Sequence, residues 1–348
     1  MAKLKAAMIG CGMPSSQEGR TGSAMAQAHI DGYLAVDDTE MVAIVDIKQA
    51  NLDYYAERYK VPSSYTDYKE MLKKEKPDIV SISTWPALHA EMVIACANAG
   101  VKAIHCEKPM SVTWGDSVKM AEVCEKKNVQ LTFNHQRRFE HPYMLAKKLV
   151  DDGAIGDLQR IEAVCGNLYD WGTHWFDMMH FYNHDVPAKW VLGQIDSRSE
   201  SAIFGARLED QGIVSIGFSN GVHGLVLTGY GHSIGAEHRL IGSEGFIEVQ
   251  HPEVRVRGKG DAEKRVIKTD QKGEHAIILG IRDLVSSLKT GREPELSVRK
   301  ALRATELIFA TYESSRWRGR IELPLTIDDN PFLDMLEKGQ IGPTRSTK

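Results

Sequence analysis

Over its first 133 residues the chain alternates short apolar runs with amphipathic stretches, and that alternation narrows the fold more than any other feature. Residues 5–9, 40–46, 77–84, 101–106 and 130–133 read as buried strands. Residues 23–29, 52–59, 68–74, 86–99 and 114–127 read as helices; Pro86 opens the fourth and Gly100 caps its end. Strands and helices alternating at this spacing predict a doubly wound parallel sheet, which binds ligands outside the carboxyl ends of its strands. That geometry sets Gly10, Gly12, Asp46, Thr84, Trp85, Pro86 and Lys108 along one crevice.

The first run ends in Gly10-Cys11-Gly12. Glycines there let a backbone approach a pyrophosphate while a helix N-terminus donates N–H groups to it. The third glycine of a GxGxxG fingerprint is replaced by Ser15, and residues 14–22 read as an insertion, with small Ala26 in the close-packing place. A plain glycine turn is the alternative. Asp46, at the end of the second run, is placed to accept hydrogen bonds from ribose hydroxyls, which favours NAD; Lys48 and Arg20 would still admit NADP. Asp46 is equally placed to cap the helix beginning near Gln49.

From Asn134 the pattern changes. Helices are expected at 142–151, 170–181, 276–289 and 299–316, and strands at 158–166, 190–197, 212–218, 222–229, 238–241 and 245–249. Asn220-Gly221 predicts a type I′ hairpin turn. The chain is therefore expected to be α/β with two domains: a doubly wound parallel sheet over 1–133, and an α+β domain over 134–348 on a large, mostly antiparallel open sheet. Residues 339–348 are polar and expected to be disordered.

Residues 169–180 carry the densest chemistry. Asp170, His174 and Asp177 share a face if the stretch is helical, and an imidazole one turn from a carboxylate makes a general acid/base. A solvated Asp/His pair is the bland alternative. Trp85, Trp171 and Trp175 offer either core bulk or an aromatic face for a ligand; Asp177 offers a ligand or structural contact; His180 is expected to pack or cap.

With 43 basic and 47 acidic residues, charge provides no footprint for nucleic acid or an anionic membrane. No leader is expected, and no membrane-length apolar run is present. Five cysteines form no CxxC pair, which favours a reducing cytoplasm and no metal site.

Together these residues resemble the glucose-fructose oxidoreductase / inositol dehydrogenase / rhizopine-catabolism (Gfo/Idh/MocA) family. The resemblance runs from Gly10-Cys11-Gly12 to residues 321–325. Its most specific part is Glu107-Lys108-Pro109 paired with Asp170-x-x-x-His174-x-x-Asp177; His89, the Gly153–Gly156 turn and residues 291–294 are also family-like. The chain departs from the family in the 14–22 insertion and in Trp85, where proline is commoner. The resemblance implies a Rossmann domain, an open-sheet second domain and NAD(P)-dependent hydride transfer on a sugar or cyclitol. It implies Lys108, Asp170 and His174 as catalytic: His174 as base or acid, Asp170 orienting its ring, and Lys108 on the reacting oxygen. Cofactor contacts would fall to Gly10, Gly12, Met13, Asp46, Ile47, Thr84, Trp85, His89, Glu107 and Lys108. Substrate contacts would fall to Lys108, Asn134, Arg137, Tyr169, Asp170, Trp171 and His174. Loops 139–144, 197–210 and 230–237 would set the substrate. A homodimer or homotetramer is expected through the open sheet, with residues 331–336 joining the contact. Two alternatives stand beside this reading: an enzyme recycling tightly held NAD in epimerisation or glycoside cleavage, and a non-catalytic sugar-sensing regulator.

Overall fold

The computed structural model describes residues 2–13, 25–229, 231, 233–269 and 273–342. The first domain runs β1 (Leu4–Ile9), α1 (Ala26–Leu34), β2 (Thr39–Val45), α2 (Gln49–Tyr59), β3 (Ser63–Tyr65), α3 (Tyr68–Glu75), β4 (Ile79–Ile82), α4 (Pro86–Asn98), β5 (Ala103–Cys106), α5 (Trp114–Lys126) and β6 (Gln130–Phe133). Its six strands are all parallel, in the order β3-β2-β1-β4-β5-β6. The order reverses between β1 and β4, which opens a crevice at their carboxyl ends. The insertion at 14–22, Arg20 and most of the third-glycine question lie outside the described residues.

A 3-10 turn (Gln136–Phe139) leads into α6 (His141–Asp151), β7 (Leu158–Cys165), α7 (Gly172–Tyr182) and β8 (Ala188–Asp196). A small hairpin, β9 (Ala202–Ile203) and β10 (Ala206–Arg207), precedes β11 (Gln211–Phe218), β12 (His223–Gly229), β13 (His238–Gly242), β14 (Phe246–Gln250), β15 (Glu253–Arg257) and β16 (Arg265–Lys268). The chain ends through α8 (Ala276–Thr290), α9 (Val298–Trp317), β17 (Ile321–Glu322) and α10 (Pro331–Glu337). Nine strands form one sheet, β16-β15-β14-β13-β7-β12-β11-β8-β17, in which only β7 and β12 run parallel.

Helix α7 is buried nearly all round because it packs between this sheet and α9; its apolar bulk, Phe176, Met178, Met179 and Tyr182, fills the space between them. The sheet's other face leaves Leu192 and Ile213 open to solvent. Helix α8 turns back to the first domain, where Ile277, Ile281 and Leu284 join the core around Ile30 and Tyr33. No described helix is long and apolar enough to cross a membrane.

Two local expectations are corrected. The helix begins at Gly172, so Asp170 lies in the turn before it rather than on its face; Asn167 accepts the Asp170 N–H through its side chain and holds that turn. At the hairpin only Gly221 has positive φ, and Phe218 and Val222 close a three-residue loop. That is a type I turn followed by a left-handed glycine, not type I′. Asn220 instead donates its amide to Asn183, 2.8 Å away. Residues 331–336 form α10, which buries Phe332 and Met335 in this chain's own core and leaves Leu333 exposed. Of the stretch expected to be disordered, 343–348 lies outside the described residues.

Candidate active site

The carboxyl end of β1 is shaped by two glycines. Gly10 (φ 86°) lies so close to β4's exit that a Cβ would come within 2.7 Å of the Thr84 methyl. Gly12 (φ 64°) leaves open space where a side chain would stand, so its backbone is approachable. Asp46, just past β2, ties this loop down. One carboxylate oxygen accepts from the Cys11 and Gly12 N–H groups at 3.0 and 2.9 Å, the other from the Lys48 N–H and the Asn51 amide at 2.8 and 3.1 Å. These four bonds fix the carboxylate between the glycine loop and the start of α2. A glycine loop at the sheet's reversal point, held by an acid, fits a dinucleotide.

Beside it opens a cavity of about 420 Å³, lined from both domains. The first domain contributes Cys11, Gly12, Met25, Ser83, Thr84, Trp85, Pro86, Glu107 and Lys108. The second contributes Gln136, Arg137, Asp170, Trp171, His174, Ile203 and Phe204. Lys108 Nζ donates to Asp170 Oδ1 at 2.6 Å and to the Asp170 carbonyl at 3.2 Å. Glu107 accepts from the Asn134 amide at 2.7 Å, meets the His29 ring at 2.9 Å, and accepts from the Lys108 N–H at 3.2 Å. Burial pushes the Glu107 carboxyl up, but the His29 bond and charge, Asn134 and Lys108 outweigh it and hold it at about 2.

His174 is not oriented by Asp170, whose carboxylate is turned to the ammonium. Its Nδ1 is buried with no hydrogen-bond partner among the described residues, and its ring meets His135 edge-on at 5.6 Å. Burial first, then the cations Lys108 and Arg137, drive the imidazole well below its ordinary range, so it is neutral at working pH. The Arg137 guanidinium lies 4.8 Å from the Trp175 ring centre, 5.5 Å from Trp171 and 5.6 Å from Tyr143, and donates to Glu140 and the Tyr143 hydroxyl.

Several expected contacts do not reach the cavity. His89 is buried beneath it, its ring within 3.0 to 3.2 Å of the Pro109, Met110 and Thr84 carbonyls. Asn134 supports Glu107, and the Tyr169 hydroxyl donates to the Ser111 carbonyl. Gly10, Met13, Asp46 and exposed Ile47 stand outside its wall, at the ends of β1 and β2. Asp177 is structural: its carboxylate takes two 2.9 Å bonds from fully buried Arg138. Trp175 is core, whereas Trp85 and Trp171 are half exposed on the cavity rim. Ile203 and Phe204 fall within loop 197–210, expected to set the substrate but with no residue singled out; Gln136 had no signal. Residues 139–142 line a different pocket, beside His251 and Glu274.

Sequence comparison agrees with this architecture. Residues 4–135 match the model described as oxidoreductase family, NAD-binding Rossmann fold, and residues 147–323 its C-terminal alpha/beta domain. The chain is similar to a D-apiose dehydrogenase of Paraburkholderia graminis, with 26% identity covering 97% of this chain and 95% of that protein. It is also similar to a myo-inositol 2-dehydrogenase of Thermotoga maritima, with 24% identity over 85% and 94%. A levoglucosan dehydrogenase solved with NADH and levoglucosan shares the fold at a TM-score of 0.78 and 21% identity, covering 93% of this chain and 100% of that one.

Proposed function

The chain belongs to the Gfo/Idh/MocA oxidoreductase family, with an NAD-binding Rossmann domain, and on that premise we propose that it oxidises a secondary hydroxyl of a sugar or cyclitol, or reduces the corresponding carbonyl. The observation that carries the reading is the meeting of Lys108, Asp170 and His174 at one cavity beside the glycine loop.

Bound at that loop, the nicotinamide cofactor supplies the hydride acceptor or donor. Neutral His174 takes the hydroxyl proton during oxidation and returns it during reduction. The Lys108 ammonium hydrogen-bonds to the reacting oxygen and stabilises its developing negative charge. Asp170 holds that ammonium in place, so little reorganisation accompanies reaction. Trp171 and Trp85 offer rings to the C–H face of a saturated ring, and Arg137 offers donors to its hydroxyls. NAD is the cofactor; some use of NADP is compatible with Lys48 beside Asp46. We further propose a homo-oligomer joined through the open face of the second sheet, in a reducing cytoplasm suited to five unbridged thiols.

A panel of sugars and inositols assayed with NAD and NADP tests this. NADH accumulation with at least one polyol is expected. Turnover of none, or product without any net NADH, would overturn the dehydrogenase reading.

A further inference from the structure

The turn that presents Asp170 and Trp171 is anchored by a residue remote from it in sequence. The Leu168 N–H, two residues before Asp170, donates to one oxygen of buried Glu209. The Tyr312 hydroxyl of α9 donates to the other at 2.8 Å. Glu209 is itself the last step of the excursion that carries the opposite wall of the cavity. Between β8 and β11 the chain leaves the sheet, forms the β9–β10 hairpin bearing Ile203 and Phe204, and returns through Leu208, Glu209 and Asp210. Asp210 closes the base of that excursion: its carboxylate accepts from the Arg198 and Ser199 N–H groups and the Ser199 hydroxyl, at 2.5 to 2.7 Å. At its tip, a Cβ on Gly205 would lie 3.0 Å from the Trp85 ring, so the hairpin abuts the first domain. Glu209 is therefore bonded to the catalytic turn while its chain neighbours shape the facing wall.

We infer that Glu209 is a positioning residue for the reaction proposed above: as a carboxylate it fixes the turn carrying Asp170 and registers it against the Ile203–Phe204 wall. The inference rests on that functional reading. Its environment makes the charge adjustable. The groups that face it are Tyr312 from α9, the Cys165 thiol at the end of β7 and adjacent Asp210, whose own partners include Arg207; Tyr169 and Asp170 in the turn face Tyr312 and Cys165 respectively. No lysine or arginine pairs with it among the described residues. Burial raises its carboxyl to about 7, against the lowering effect of Leu168 and Tyr312. A carboxylate holds an N–H roughly twice as strongly as a neutral acid does. Above neutrality the turn is therefore held tightly, and on protonation it loosens.

Hydrogen exchange at the Leu168 amide and steady-state kinetics test this on the full chain. In the wild type, protection of Leu168, corrected for intrinsic exchange, is expected to rise as pH passes through about 7. In Glu209→Gln, a mimic of the protonated acid, protection is expected to be flat with pH and turnover about two- to fivefold lower above neutrality. Glu209→Ala is expected to lose Leu168 protection and about tenfold in turnover, with the KM for NAD unchanged. Unchanged Leu168 protection in Glu209→Ala, or a Glu209→Gln pH profile superimposable on the wild type's, would overturn the inference. If the wild type turns over no polyol, the functional reading falls, while the exchange measurements still decide for or against Glu209.

Discussion

Lys108 Nζ lies 2.6 Å from Asp170 Oδ1, and this contact ties together the two domains and residues 62 positions apart. It also divides the labour of the site. The carboxylate serves the ammonium, and the imidazole of His174 stands alone.

Because Lys108 and Asp170 act as a unit, their substitutions should not add. Lys108→Ala and Asp170→Ala are each expected to lower kcat by about 10²–10³-fold, and the double variant no further than the worse single. A double-mutant cycle, with folding checked by circular dichroism, measures this. Additive losses would separate the two roles.

His174→Ala should lower kcat by about 10²–10⁴-fold and leave NAD affinity unchanged, since it removes proton transfer alone. The folded imidazole is depressed well below 6.5, so the acid limb of kcat/KM should lie well below 6.5 too. Lys108 is the second cause of that depression. Residual activity of Lys108→Met should therefore show the limb moved upward. A limb at the same pH would mean that His174 is not the group titrating.

Stability should fall on acidification. Burial depresses His89, His135 and His174, takes His180 to about 4, and takes His105 and His238 to about 3. Each is neutral in the fold and protonated in the unfolded chain below 6.5. Each therefore removes up to about 1.4 kcal/mol per pH unit between 6.5 and its folded value. Glu107, held at about 2, adds to this below 4.5. Glu209 has the opposite sign: raised to about 7, it lowers stability as pH climbs from 4.5 to 7. Melting curves should accordingly drop steeply below pH 6.5, and Glu209→Gln should melt higher than wild type at pH 8. A wild-type melting temperature flat from pH 7 to 4 would contradict the assignment.

Asp46→Ala should weaken NAD binding about tenfold or more and narrow the preference for NAD over NADP, because it frees the Cys11 and Gly12 N–H groups and removes a charge that repels a 2′-phosphate. Titration with both cofactors reads the ratio. A strong wild-type preference for NADP would sink the reading.

Ile213, 52% exposed on β11 in the second sheet's open face, should be covered by a second copy. Light scattering at micromolar concentration is expected to give an oligomer, and Ile213→Lys a smaller species. A monomeric wild type would leave that face without a partner.

Much of this was legible without coordinates, and the physical reason is periodicity. Buried parallel strands must be apolar throughout and must alternate with helices, so the first domain, its strand ends and the crevice follow from local pattern. Glu107-Lys108-Pro109 and Asp170-x-x-x-His174 are short and contiguous, so the resemblance they carry could be read directly. Spacing alone failed at Asp170. An i, i+4 interval makes a pair only if the helix includes both ends, and Asn167 stops it short. Side-chain direction was likewise out of reach. His89, Asn134 and Tyr169 sit beside cavity residues in sequence yet point into the scaffold, where buried carbonyls and Glu107 need partners. Loop 197–210 was expected near the substrate, but only the tertiary structure singled out Glu209, Ile203 and Phe204 within it, because a loop's path depends on what it packs against rather than on its own residues. The sequence by itself determined which strand ends and which charged side chains were available; the packing of two sheets around α7 and α9 decided which of them meet.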